Sequence, residues 1–136
     1  MGWVCYSILL NVKVTVEGEP DTAPFTRIYH FYSMTDYIIL SNSIKAINNK
    51  LSRKLKININ ETLYIYLKYV IDQLRSRGNR NEIKKNISRL LTPDQVMIGV
   101  PESLRKISFN IRVENTQRLC ITIKEPITTT SYVLSS

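Results

Sequence analysis

Between Leu90 and Ile127 the chain reads LLTPDQVMIGVPESLRKISFNIRVENTQRLCITIKEPI, and its apolar spacing changes once, from helical to alternating. Thr92 is placed to accept at a helix N-cap, and Pro93 suits the first helical position because its missing N–H has no partner there. Gln95, three residues after the cap, completes a capping box. Gly99 is expected to stop that short helix. Beyond Pro101, Ile107, Phe109, Ile111 and Val113 alternate with Ser108, Asn110 and Arg112, which predicts a strand with one apolar face. Leu119, Ile121 and Ile123 repeat the pattern, Glu114 to Arg118 makes the connection, and Pro126 ends the pairing by withholding a ladder donor. The expectation is a C-terminal antiparallel β-hairpin.

Upstream the period is helical. From Thr35, taken as N-cap, with Asp36 near the positive end of the helix dipole, Leu40, Ile44, Ile47, Leu51 and Leu55 recur at three and four residues. Asn58 and Glu61 form a second capping pair, after which Leu63, Tyr66, Leu67, Val70, Ile71 and Leu74 make an apolar stripe that ends at Gly78. A third helix is predicted from about Glu82, capped by Asn81, with Ile83, Ile87, Leu90 and Leu91 facing one way. The fold class is therefore α+β: three main helices, a short fourth, and the hairpin. A lone hairpin is marginal in water, so its apolar face must pack on the helices or on another chain.

Residues 1–33 are harder to place. Ile8, Leu10, Val12, Val14 and Val16 alternate with Leu9, Asn11, Lys13 and Thr15, which suggests a strand running into the turn-prone stretch from Glu17 to Thr22. The apolar opening from Met1 to Leu10 lacks the basic start and small-residue cleavage site of a signal peptide, and is too short to span a bilayer. Two organisations stay open. Either residues 1–33 are an extension that adds a strand, or the domain starts at Met34 and their loss would leave folding unchanged. Residues 128–136 read as a polar tail.

The segment from Leu91 to Glu102 carries a more specific signal. Leu91, Thr92, Asp94, Val96, Met97, Gly99, Val100, Pro101 and Glu102, with Glu125, Pro126 and Ile127 at the end, stand at the spacing found in the gamma subunit of urease. Upstream, Leu55, Lys56, Ile57, Asn58 and Glu61 are similar to that family's Leu-Lys-Leu-Asn-Tyr-Pro-Glu run, with Ile59 and Asn60 in place of Tyr-Pro. Leu74 to Gly78 departs from its Gly-Ala-Arg-Asp-Gly turn, and the hairpin turn lacks glycine. The resemblance covers about residues 34–127. It implies a non-catalytic structural subunit of a cytoplasmic urease, assembled with alpha and beta subunits, three copies of each. In that family the nickel ions and the catalytic residues, which convert urea to ammonia and carbamate, belong to the alpha subunit.

Composition adds one competing reading. The chain has 136 residues and a net charge of +8, which is one domain's length and a basic surface. Arg75, Arg77, Arg80, Lys84, Lys85 and Arg89, with Lys45, Lys50, Arg53, Lys54 and Lys56, could track a phosphate backbone, with Tyr64, Tyr66 and Tyr69 as stacking platforms. No recognised nucleic-acid motif accompanies them, so a solvated face or one that meets an acidic partner is the preferred reading. Metal chemistry is poorly supplied, because His30, Cys5 and Cys120 are the only imidazole and thiol ligands and lie in distant segments. No catalytic, cofactor-binding or metal-binding residue is assigned. A Cys5–Cys120 disulfide is allowed, but without an export signal free thiols are expected. Asn60 and Asn86 match the glycosylation pattern within predicted helices, and Asp94 and Glu102 fit dipole and turn roles better than an acid–base pair.

Overall fold

Strand β1, Leu10–Glu17, buries Leu10, Val12, Val14 and Val16 and turns Lys13 and Glu17 to solvent, as strict alternation requires. In a computed structural model of the chain, which describes residues 10–76, 79–113 and 117–127, this strand lies inside a four-stranded antiparallel sheet of order β2-β1-β3-β4. The other strands are β2, Phe25–Phe31, β3, Lys106–Val113, and β4, Gln117–Lys124. The expected C-terminal hairpin is thus only half of a sheet. Val14 pairs with Phe109 on one side and Arg27 on the other, so residues before 34 supply a central strand and an edge strand. A two-stranded ribbon cannot bury an apolar face by itself, and β1 completes the layer that does.

The helices cover one face of this sheet. Helix α1 spans Met34–Ser52, α2 Ile59–Arg75 and α3 Arg80–Ile87, and a four-residue α4, Val100–Ser103, precedes β3. Leu40 and Ile47 of α1, Leu63, Tyr66, Leu67, Val70 and Ile71 of α2, and Ile83 and Ile87 of α3 join Ile107, Phe109, Ile111, Ile121 and Ile123 in one core. Lys50 reaches Glu61 at 2.7 Å, while Tyr37 and Lys68 both bond Asp72, so α1 and α2 are also tied by polar contacts.

Several predicted boundaries shift. The N-cap of α1 is Ser33, not Thr35, because Asp36 reaches back to the Tyr32 N–H at 2.8 Å and Ser33 holds the extended conformation. Leu55 leaves the core stripe and is 43% exposed. The cause is the helix end: the Lys54 N–H bonds the Leu51 carbonyl at 3.0 Å and the Leu55 N–H bonds that of Lys50 at 2.9 Å, with Lys54 left-handed at φ 61°. Helix α3 is capped by Asn79, whose Oδ1 accepts from the Glu82 N–H at 2.8 Å, and not by Asn81. The helix expected from Thr92 to Gly99 is a single 3-10 turn, Pro93–Gln95, and Gly99, at φ 96°, starts α4 instead of stopping a helix. Gly78, the Glu114–Thr116 part of the hairpin connection, Ile8, Leu9 and the 128–136 tail lie outside the described residues.

The β1–β2 connection is fastened to the start of β3. A Cβ on Gly18 would stand 2.8 Å from the Glu102 carbonyl oxygen and 2.8 Å from Ser103 Cα, so only glycine permits this approach. The Glu19 N–H donates to Glu102 O at 3.0 Å and the Arg105 N–H to Glu17 O at 2.9 Å. The Arg105 guanidinium then bridges Glu19 at 2.7 Å and Glu125 at 3.3 Å.

Deleting residues 1–33 is expected to abolish cooperative thermal unfolding followed by circular dichroism; a truncated chain that melts like the full-length one would mean β1 is dispensable. Lys54→Gly should raise stability by about 1 kcal/mol, because lysine has a steric cost in the left-handed region that glycine lacks. Denaturant melts measure it, and an unchanged or lower midpoint would contradict the strained helix end.

Candidate partner-binding site

The two segments that carry the urease-like spacing, 55–61 and 91–102, meet in space. Ile57 and Val96 form an isolated parallel bridge. In it the Ile57 N–H donates to Gln95 O at 3.1 Å and the Met97 N–H to Ile57 O at 2.9 Å, while Lys56 Nζ donates to Asp94 O at 2.6 Å. Both bridging side chains are buried, Ile57 at 0% and Val96 at 2% exposure. Burial of Val96 is what pulls the chain out of helix after Gln95, since a continued helix would lose the bridge.

Each side of the bridge is held by its own cap. Asn58 and Glu61 form the expected reciprocal box, with Glu61 N–H to Asn58 Oδ1 and Asn58 N–H to Glu61 Oε1 both at 2.9 Å. At Thr92 the N–H donates to Gln95 Oε1 at 2.9 Å, and the hydroxyl gives its proton to Asp94 Oδ1 at 2.6 Å. That hydroxyl bond, together with the Asp94 backbone, holds the Asp94 carboxyl below its ordinary range. Burial works to raise the Glu61 carboxyl, but hydrogen bonds from Lys50 and from the Asn58 N–H outweigh it and keep it below its ordinary 4.5.

What this scaffold displays is apolar. Val100, Pro101 and Leu104 turn inward, whereas Met97 is 43% and Ile98 101% exposed. Gly99 makes this display possible, because its left-handed φ turns the chain from the bridge straight into α4; no atom lies within 4 Å of where its Cβ would be, so conformation and not space demands glycine. An isoleucine fully in water, on backbone pinned from both sides, is suited to enter a pocket on another chain. Periodicity gave no sign of it, because Ile98 belongs to no helical or alternating run.

The other residues considered for chemistry are not gathered into a site. His30 sits on β2, where Nδ1 either donates to Asn11 Oδ1 or accepts from the Tyr32 hydroxyl, and Cys120 is a free, exposed thiol on β4 at the opposite edge of the sheet. Cys5 lies outside the described residues. Among the described residues no three His, Cys, Asp or Glu side chains group as metal ligands. Asp94 is engaged by Thr92, and Glu102 is exposed. Of the proposed stacking tyrosines, Tyr66 is fully buried, burial pushing its hydroxyl far above the ordinary range, and Tyr64 packs against Tyr29 with ring centroids 5.9 Å apart. Arg80, Lys84 and Lys85 are exposed along α3 and Arg89 just beyond it; Arg77 lies outside the described residues, as does the Arg75 side chain. No described helix is long and apolar enough to cross a membrane.

Because the Glu61 carboxyl is depressed in the folded chain, its contribution to stability is full above the ordinary carboxylate value and is lost as pH falls through the folded one. Glu61→Gln keeps an acceptor for the Asn58 N–H but drops the charge facing Lys50. The variant should be less stable by about 1 kcal/mol or less at pH 7, and the gap should close on acidification. Melts across pH 3 to 7 check this, and a gap that widens in acid would reverse the assignment.

Comparison with known proteins agrees with this geometry. Residues 33–127 match the family model described as "Urease, gamma subunit", which takes in the bridge, α4 and the β3–β4 pair. The urease subunit gamma of Halalkalibacterium halodurans is 33% identical over 78 residues, covering 57% of this chain and 77% of that protein. The chain belongs to the urease gamma subunit family.

Proposed function

We propose that this chain is a non-catalytic structural subunit of a cytoplasmic nickel urease, built with alpha and beta subunits as a trimer of heterotrimers. In this reading the alpha subunit holds the nickel and the catalytic groups that convert urea to ammonia and carbamate, and this chain contributes surface. Residues 34–127 are the unit that assembles, residues 1–33 an extension that completes its sheet, and residues 128–136 a tail.

The observation that carries the proposal is the placement of the two family segments. They are joined by the Ile57–Val96 bridge and hold Ile98 fully in solvent next to the exposed Met97. A catalytic role would call for converging titratable groups; a rigid apolar projection suits assembly. The basic helix surfaces, with Lys45, Arg53, Lys54 and Lys56 exposed near the end of α1, favour an acidic neighbour and steer its approach.

Co-expressed with its alpha and beta subunits, the tagged chain should recover both, while the isolated chain should release no ammonia from urea and hold no stoichiometric nickel. Ile98→Asp should leave the melting temperature unchanged and reduce recovery of the larger subunits about tenfold or more. Recovery equal to wild type would remove Ile98 from the interface. Tight binding to nucleic acid at physiological salt, with no recovery of either subunit, would overturn the assignment altogether.

A further inference from the structure

Strand β2 is the terminal strand of the sheet, and along Phe25–Phe31 alternate residues turn a backbone N–H and C=O away from β1. No backbone bond among the described residues engages that outer side. Native edges are usually blunted by lysine, proline, a bulge or extreme shortness. This one is seven residues of FTRIYHF, with neither lysine nor proline and a single formal charge at Arg27. It is also flanked by apolar surface: Ile28 on β2 is 58% exposed, and on α1, which packs beside it, Ile38 and Ile39 are 50% and 58% exposed. A cleft of about 310 Å³ opens between β2 and α1, with Tyr29, Phe31, Asp36 and Ile39 among its walls. The opposite edge, β4, differs, since α3 packs against that strand and it carries Lys124.

We infer that β2 pairs antiparallel with β2 of a second copy of this chain, about a twofold axis through Ile28, extending the sheet to eight strands. The sequence is self-complementary in that register. Ile28 opposes Ile28, Arg27 opposes Tyr29, Thr26 opposes His30 and Phe25 opposes Phe31, with Thr26, Ile28 and His30 on the open face and the others on the helix face. The one charged residue therefore avoids its own copy and meets an aromatic face, an arrangement favourable for cross-strand pairs. Charge is also matched across the axis. The second copy's Arg27, opposite Tyr29, enters the face of the cleft that Asp36 lines, while within its own chain the guanidinium already lies 4.7 Å from the Phe25 ring centroid. An isologous contact makes each of the off-axis pairs twice. The strand lies outside the residues 33–127 that match the urease gamma family, so this contact is separate from the assembly face proposed around Ile98.

Sedimentation equilibrium of the full-length chain tests the pairing. At about 100 μM it should show a species of twice the chain mass; a monomer at that concentration overturns the inference and leaves the edge to a strand from a different protein. Because residue 28 faces itself, Ile28→Lys sets two ammonium groups together at the axis and should weaken the dimer by about 100-fold. Ile28→Glu should do the same. An equimolar mixture of the two variants should restore the dimer as a heterodimer, which needs no refolding assumption beyond unchanged circular dichroism of each. A dimer that persists in Ile28→Lys, or a mixture of folded variants that stays monomeric, overturns the pairing or its register.

Discussion

The fold depends on the pairing of β1 with β3. An apolar face made only from Ile107, Phe109, Ile111, Ile121 and Ile123 would be two strands wide, too narrow to cover α2, whose Leu63, Tyr66, Leu67, Val70 and Ile71 are all sealed from water. Inserting Val12, Val14 and Val16 beside β3 widens that floor with three side chains at 0% exposure. At about 25 cal/mol per Å² of apolar surface, each valine contributes on the order of 1.5–3 kcal/mol, comparable with a large part of a small domain's net stability. The contacts that hold the strand in register follow from it: Gly18 crossing Ser103, and Arg105 bonded to Glu19 and Glu125.

With that floor in place, the segment between α3 and β3 is relieved of core duty. Leu91, Val96, Val100, Pro101 and Leu104 anchor it, and Met97 and Ile98 are displayed. Two different displays result. At the Ile57–Val96 bridge the Ile57 and Met97 N–H groups are bonded and the Met97 and Ile98 side chains project, a surface fit for a pocket on a larger subunit. At β2 the outer backbone groups have no backbone partner among the described residues and the side chains are pairwise complementary, a surface fit for another strand. These are different recognition chemistries, and they lie on different elements.

Charge has a secondary part in this protein. Lys50, Lys68 and Arg105 are paired to carboxylates and stitch elements together, whereas the lysines and arginines along α3 are solvated. Paired cations near the surface contribute little to stability. The unpaired ones set the sign of the field that an approaching subunit meets.

Much was legible in the residues themselves. Alternation located β1, β3 and β4, three-and-four spacing located α1, α2 and α3, and Asn58 with Glu61 marked a true helix start, because these signals arise from contacts within a few residues. The urease-like spacing around Met97 and Gly99 identified the family for the same reason: it is local and exact. What the sequence missed was decided by distant partners. Strand β2 exposes Thr26, Arg27 and Ile28 in a row and His30 beyond Tyr29, so its pattern is faint until β1 pairs with it. Val96 leaves the helix expected from Thr92 because Ile57, 39 positions earlier, offers it a bridge and a buried seat. Leu55 belongs to the stripe of α1 by spacing, yet the left-handed Lys54 turns it outward. The hairpin becomes half of a sheet only when residues before 34 fold back onto it. Local preference is worth tenths of a kcal/mol to about one per residue, and burial against a partner far away in the chain exceeds it; tertiary structure alone decided those positions.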